Sequence, residues 1–361
     1  MSSVLLFIVI LSLLVLVHEA GHFFTALWTG MKVEEFGIGF PPRLFSWKRR
    51  NIRYSINWIP IGGFVKIKGE TGEDRNDPEA FVSKAAWKRL LVLSAGVIMN
   101  AVLAVVLLTA GFIAGSPQVI DETTSPQAVV QNVSVQVYTV LDSSPAKNAG
   151  LAVGDQIVSI DDNLVSDESQ AQTYIQEHEN AMMRFSVKRG DTYYTYDLTP
   201  TVLAEVEGHK AIGIGMVRVG TVSYPWYLAP VKGVEATVAI GSQMIGALVD
   251  LVRGLIVEHH VSVDLSGPVG IAMLTGQVAQ LGFSHVVQFA ALLSINLAII
   301  NFIPFPALDG GRALFVLIEK VRGKPVSAKA ETITHNIGFG LLMILILVVT
   351  YRDVIGLIVG K

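Results

Sequence analysis

The chain has no cysteine in its 361 residues. Disulfide frameworks and thiolate metal sites are therefore excluded. Charge is scarce as well: 16% of residues are Asp, Glu, Lys or Arg, and the formal net charge is −3. There is no basic block of the kind that neutralises a phosphate backbone, so nucleic acid is not an expected partner. Neither a G-x-S-x-G elbow nor a phosphate-binding P-loop occurs, which leaves serine-hydrolase and nucleotide-driven chemistry without support. The first apolar segment also lacks the basic flank and small-residue cleavage site of a removable signal peptide, and is expected to be permanent.

Apolar residues are what the chain has most of, at 51% with a mean hydropathy of +0.52. A helix crossing a bilayer needs about 20 predominantly apolar residues. Four segments meet that length: Val4 to Trp28, Leu90 to Ala114, Val286 to Ile303 and Ile337 to Ile358. Lys and Arg are unequally shared between the connections. Residues 31–89 hold twelve and residues 319–331 hold four, whereas residues 117–282 hold eight in 166 positions. The positive-inside tendency puts the first and last connections in the cytoplasm and the long insert outside. Both termini then face out.

The insert is mixed. From about Val129 to Thr201 it alternates in the manner of strands, with turn signals at Asp161-Asp162-Asn163 and Arg189-Gly190-Asp191. Its "SSPAKNAGLAVGDQIVSIDD" resembles the core of a PDZ domain. Between Trp226 and Val257, Lys232, Glu235, Gln243, Gly246, Asp250 and Arg253 recur at helical spacing and form one polar face. A fifth span is conceivable there. Four charges favour an amphipathic helix lying on the membrane surface.

Within the first span stands His18-Glu19-Ala20-Gly21-His22, an H-E-x-x-H sequence. On a helix, histidines four apart share a face and can converge on one Zn²⁺, while the adjacent glutamate reaches a water as general base. Ionisable groups inside a span are costly and default to function. Catalytic zinc wants a third protein ligand, and the following "FFTALWTG" offers none. Asp309, in "NFIPFPALDGGR", is the acidic residue at membrane depth near the same side. Alone it suits an N-cap; beside a zinc site short of a ligand, it suits coordination. The pair His259-His260 points about 100° apart on a helix and reads as solvated surface. His285 and His335 sit at span edges, where the interface is expected to hold them.

"HEAGH" in the first span with "NFIPFPALDGG" in the third resembles the site-2 proteases, intramembrane zinc metalloproteases. "IPIGGFVKIKGE", "LSGPVGIA" and "LLSINLAIINFIP" resemble their bacterial PDZ-containing branch, the regulator of sigma-E protease type. The resemblance implies one Zn²⁺ held by His18, His22 and Asp309, with Glu19 as catalytic base. It also implies substrate handling by Asn296 and Asn301, for which helix–helix bonding is the plainer alternative. A membrane-dipping β-hairpin over about residues 36–68 is implied too. Gly62 and Gly63 would lie on an edge able to pair with an unwound substrate. One departure is visible: Val97 follows Gly96 where relatives often have Gly-Pro.

The expected protein is thus a multi-span α-helical membrane protein of about four spans. It carries a membrane-associated β-hairpin and one extracytoplasmic PDZ-like α+β domain. Residues 1–116 form the first membrane part and 117–205 the PDZ-like domain. Residues 206–282 carry the amphipathic helix, and 283–361 the second membrane part. The expected activity is hydrolysis of a peptide bond within the transmembrane segment of single-span proteins, such as a pre-trimmed anti-sigma factor or a signal-peptide remnant. It is expected in a bacterial cytoplasmic membrane. The PDZ-like domain would bind peptide or act as a gate. A non-catalytic PDZ-bearing receptor or adaptor with a vestigial metal site is the competing reading, and Glu19 argues against it.

Overall fold

The computed structural model describes residues 3–72, 74–121, 124–203, 210–258 and 266–359. The elements in chain order begin with α1 (Ser3–Trp28), β1 (Val33–Arg49), β2 (Ile52–Ile67) and α2 (Ala86–Ala114). Then come β3 (Ser116–Val119), β4 (Val129–Val140), α3 (Pro145–Ala149), β5 (Gln156–Ile160), β6 (Asn163–Leu164) and α4 (Glu168–Glu177). Strands β7 (Met183–Arg189), β8 (Thr192–Leu198), β9 (Thr201–Val202), β10 (Lys210–Ala211) and β11 (Ile214–Ser223) follow. The chain ends with α5 (Ala229–Arg253), α6 (Pro268–Gln280), α7 (Phe283–Phe302), α8 (Asp309–Arg322) and α9 (Ala328–Val359). Two compact units result, one of residues 1–109 with 230–361 and one of residues 110–229.

In the first unit, α1, α2 and α7 pack through small and branched apolar side chains. Ile10, Leu14 and Ala290 are buried there against Leu103, Leu107 and Leu293. Close approach depends on Gly21, where a Cβ would stand 2.5 Å from the Ala95 carbonyl oxygen of α2. Five helices among the described residues are long and apolar enough to cross a membrane: α1, α2, α5, α7 and α9. That is one more than the four expected. The addition, α5, is the segment whose polar face marks it as amphipathic.

Strands β1 and β2 form more than the expected hairpin. Glu35 to Ile38 pair on both flanks, with Gly63–Lys66 on one side and Arg53–Ile56 on the other. The second half of β1, Arg43–Arg49, pairs in turn with Ile52–Asn57. Each strand bends into two, so the order across the sheet is 63–67, 33–40, 52–59, 43–49. Gly39 (φ +75°) and Gly62 (φ +86°) take the left-handed backbone at the bends, a conformation that costs glycine little. The base of this sheet joins α1, α2 and α8 in a second core of Phe23, Met31, Val33, Ile52, Phe81, Val92 and Val316.

The second unit is built on the sheet β3-β11-β4-β5-β7-β8, with β6 paired to β5. Alternation buries Val135, Val137, Ile157, Ile160, Phe185 and Val187 in one core with Ala171 and Ile175 of α4. Each such side chain contributes about 1.5–3 kcal/mol when fully buried. The "SSPAKNAGLAVGD" stretch forms as expected. Ser144 caps α3 by accepting from the Lys147 amide, and Gly150 ends it in the left-handed conformation. Buried Asp155 accepts both from Ala152 N–H and from the Arg189 guanidinium. The sheet does not stop at residue 205. Its long strand β11 lies within the segment expected after the domain, where "AIGIGMVRVGTVS" alternates too weakly to announce a strand. Between α4 and the start of β11 lies a cavity of about 370 Å³, lined by Gln172, Ile175, Ile212, Ile214 and Met216 among others. The pair His259-His260 falls outside the described residues.

Candidate metal centre

His18 and His22 lie one helical turn apart on α1, both buried. Asp309 comes from the first turn of α8, after Pro304 and Pro306 have broken the chain away from α7. It does not cap that helix. Leu308 occupies the cap position, and the Asp309 carboxylate turns towards α1 instead. Its Oδ2 is 2.9 Å from His18 Nε2 and 3.2 Å from His22 Nε2, and the two Nε2 atoms are 3.1 Å apart. Three donors on a tetrahedral zinc with bonds of about 2.0–2.1 Å stand about 3.3 Å from one another. The observed triangle, 2.9–3.2 Å on a side, is slightly tighter than that.

Each imidazole is held from behind, leaving Nε2 free for the metal. His22 Nδ1–H donates to the carbonyl of Val92, 2.8 Å away. His18 Nδ1 lies 3.2 Å from the side-chain amide of Asn100. Asn100 is fully buried on α2, and its backbone oxygen accepts from Ser294 of α7. Such outer partners fix the tautomer and the ring plane of a metal-binding histidine. Space for the rings is made by Gly96, where a Cβ would stand 2.5 Å from His22 Nε2 and 2.6 Å from His18 Nε2. Neither Asn100 nor Val92 is legible as a site residue in the sequence; Asn100, a polar residue in the middle of an apolar span, is the signal that was there to find.

Glu19 is half-buried beside His18 on α1. Its Cγ is 3.6 Å from where a Cβ on Gly63 would stand, so the glycine leaves the glutamate room at the strand edge. No strand among the described residues pairs with the outer side of Gly63–Ile67. Asn301 and Val97 line a cavity of about 220 Å³ with Asp309, Leu93 and Leu314. Gly62 bends the chain against Phe40. Asn296 is half-buried on α7 and makes no side-chain hydrogen bond with a described residue. His335 Nδ1 accepts from the Ala307 amide, 2.8 Å away, in the turn that leads to Asp309.

The model of peptidase family M50 matches residues 6–345. Among the relatives, a Clostridium perfringens protein named for zinc metalloprotease activity is 34% identical over 95% of this chain and 96% of its own. The regulator of sigma-W protease RasP of Bacillus subtilis is 31% identical over 98% of each. The zinc metalloprotease RasP of Oceanobacillus iheyensis is 30% identical over 98% of this chain and 99% of its own. A solved PDZ domain of an SdrC-like protein from Listeria monocytogenes matches 23% of the chain and 86% of its own, at 28% identity and a TM-score of 0.21. The chain belongs to peptidase family M50, the zinc metalloproteases that cleave within the membrane.

Proposed function

We propose that the protein cuts single-span membrane proteins at a peptide bond near the cytoplasmic face, with Glu19 as general base and His18, His22 and Asp309 as the zinc ligands. The convergence of those three ligands from α1 and α8 is the observation that carries the reading. When bound, zinc supplies Lewis acidity, which acidifies water and polarises a peptide carbonyl. Glu19 takes the proton of the attacking water and passes it to the departing amine. The strand edge at Gly63–Val65, which no strand among the described residues pairs with, receives the unwound substrate by backbone pairing, which keeps its amides satisfied at membrane depth. Asn301, on the wall of the adjoining cavity, hydrogen-bonds that extended chain. Asn296 does so from the same helix.

Four crossings suit this arrangement best. His22 lies towards the end of α1, and Asp309 follows the end of α7. The two helices therefore run the same way across the membrane. The chain must leave α2 and enter α7 on one side, so α5 cannot cross alone. It is the least apolar of the five candidates, and we place it along the surface. The distribution of Lys and Arg then puts both termini and the PDZ-like unit outside the cytoplasm. The groove between α4 and β11 takes an extended peptide, since among the described residues Ile214–Val217 pair with β4 alone.

The test is cleavage of a tagged single-span substrate in detergent, with zinc quantified on the same samples. Glu19→Gln is expected to keep zinc and lose cleavage by about 10²–10⁴-fold. Asp309→Asn is expected to lose both. Equal cleavage by all three proteins would refute the assignment.

A further inference from the structure

The bent sheet of β1 and β2 has a fixed height against α1. Ser12 Oγ donates to the Pro60 carbonyl at its top, 2.8 Å away. Lower down, Phe23 packs against Phe36 and Tyr54. From Ser12 to Phe23 a helix descends about 16 Å. The turn at Arg50-Asn51 lies a few residues below Tyr54, as Trp28 at the end of α1 lies a few residues below Phe23. This turn therefore stands where the first span leaves the hydrocarbon.

Along the outer strand, side chains change in the order that a descent from hydrocarbon to headgroups requires. Leu44 and Phe45, 56% and 60% exposed, come first. Trp47 follows, stacked on Tyr54 with ring centroids 5.6 Å apart, as aromatic residues sit at a membrane interface. Lys48, Arg49 and Arg50 end the run, all exposed. The cations are treated differently by depth. Arg43, higher in the sheet, donates to buried Glu35 at 2.9 Å. Lys48, Arg49 and Arg50 have no carboxylate within 4.0 Å among the described residues. Lys48 stands opposite Arg53 across the strands, and of the two only Arg53 has a carboxylate near, Glu35 at 3.7 Å.

We infer that this turn is a docking site for the phosphate headgroups of anionic phospholipids, which hold the substrate-receiving sheet at its depth. The inference needs α1 to cross the membrane and does not depend on catalysis. The strand edge at Gly63 belongs to the same sheet, so lipid charge at the turn bears on how that edge is presented.

The test uses the full-length protein in mixed micelles of equal phosphatidylglycerol and phosphatidylcholine. The protein is recovered in mild detergent and its retained lipids are counted by mass spectrometry. Each cation near a surface of this kind contributes on the order of a fivefold preference for anionic lipid. Wild type is expected to enrich phosphatidylglycerol, and the K48Q/R49Q/R50Q variant to lose most of that enrichment. R49K/R50K, which keeps the charge, is expected to retain it. A control, K320Q/R322Q/K324Q, neutralises the end of α8 and its loop and is also expected to retain it. Zinc content reports that each variant is folded, without reference to cleavage. No enrichment by wild type, unchanged enrichment in K48Q/R49Q/R50Q, or equal loss in the control overturns the inference.

Discussion

The side-chain amide of Asn100 lies 3.2 Å from His18 Nδ1, joining the middle of α2 to a histidine of the H-E-x-x-H turn on α1. Were Nε2 to bind zinc, His18 Nδ1 would carry the proton and donate it, with Asn100 presenting its carbonyl oxygen. That orientation also gives a partner to the buried amide oxygen that otherwise has none. Asn100→Ala is expected to weaken zinc binding about 10–100-fold. Competition with a chromophoric chelator measures this directly, and Asn100→Asp is expected to restore most of the affinity because it keeps the acceptor.

Gly96 offers a way to empty the centre without touching a ligand. A methyl group there would overlap both Nε2 atoms, and neither ring can retreat while Val92 and Asn100 hold it. Gly96→Ala is expected to abolish stoichiometric zinc while His18, His22 and Asp309 are all present. Gly21→Ala meets the Ala95 backbone instead. It is expected to lower thermal stability by overpacking, by about 1–3 kcal/mol.

The turn before Asp309 carries backbone strain. Ala307 has φ +80°, a conformation that L residues adopt reluctantly, and His335 holds its amide from α9. Gly338 lets α9 approach Pro306, since a Cβ would stand 2.4 Å from that proline's Cβ. Ala307→Gly is expected to leave zinc in place and raise stability slightly. His335→Ala is expected to loosen Asp309 and reduce zinc affinity. The two variants measured side by side by chelator competition and thermal melting separate relaxed strain from lost support.

In the PDZ-like unit, Asp167 caps α4 by accepting from the Ser169 amide. That hydrogen bond first, with help from Arg218, holds its carboxyl below the ordinary carboxylate range. A depressed folded-state value means the stabilisation is complete above the unfolded carboxylate pKa. It is lost as pH falls through the folded one. Acid titration of the full chain, followed by amide exchange in α4, is expected to show loosening of this helix below the ordinary carboxylate range. Asp167→Ala is expected to cost about 0.5–2 kcal/mol and to remove that dependence.

Much of this was legible in the sequence, because bilayer physics writes large signals. Apolar length locates α1, α2, α7 and α9. H-E-x-x-H and the broken stretch before Asp309 locate His18, His22 and Asp309, which the fold brings together from up to 291 positions apart. What escaped were relationships that pair distant backbones. The doubling of β1 and β2 depends on bends at Gly39 and Gly62, whereas the family resemblance implied only a hairpin. β11 was missed because its alternation is filled with glycine. Asn100 and His335 act through hydrogen bonds to partners on other helices, which no local pattern encodes.

The edge at Gly63–Ile67 offers amides and carbonyls, and at Gly63 it has no side chain. Such an edge is indifferent to which residues pass along it. It responds to whether a segment has given up its own helical hydrogen bonds. With substrate docked there as proposed, discrimination at this edge becomes a question of conformational energy, answered by how readily a segment frays, before any letter of its sequence is consulted.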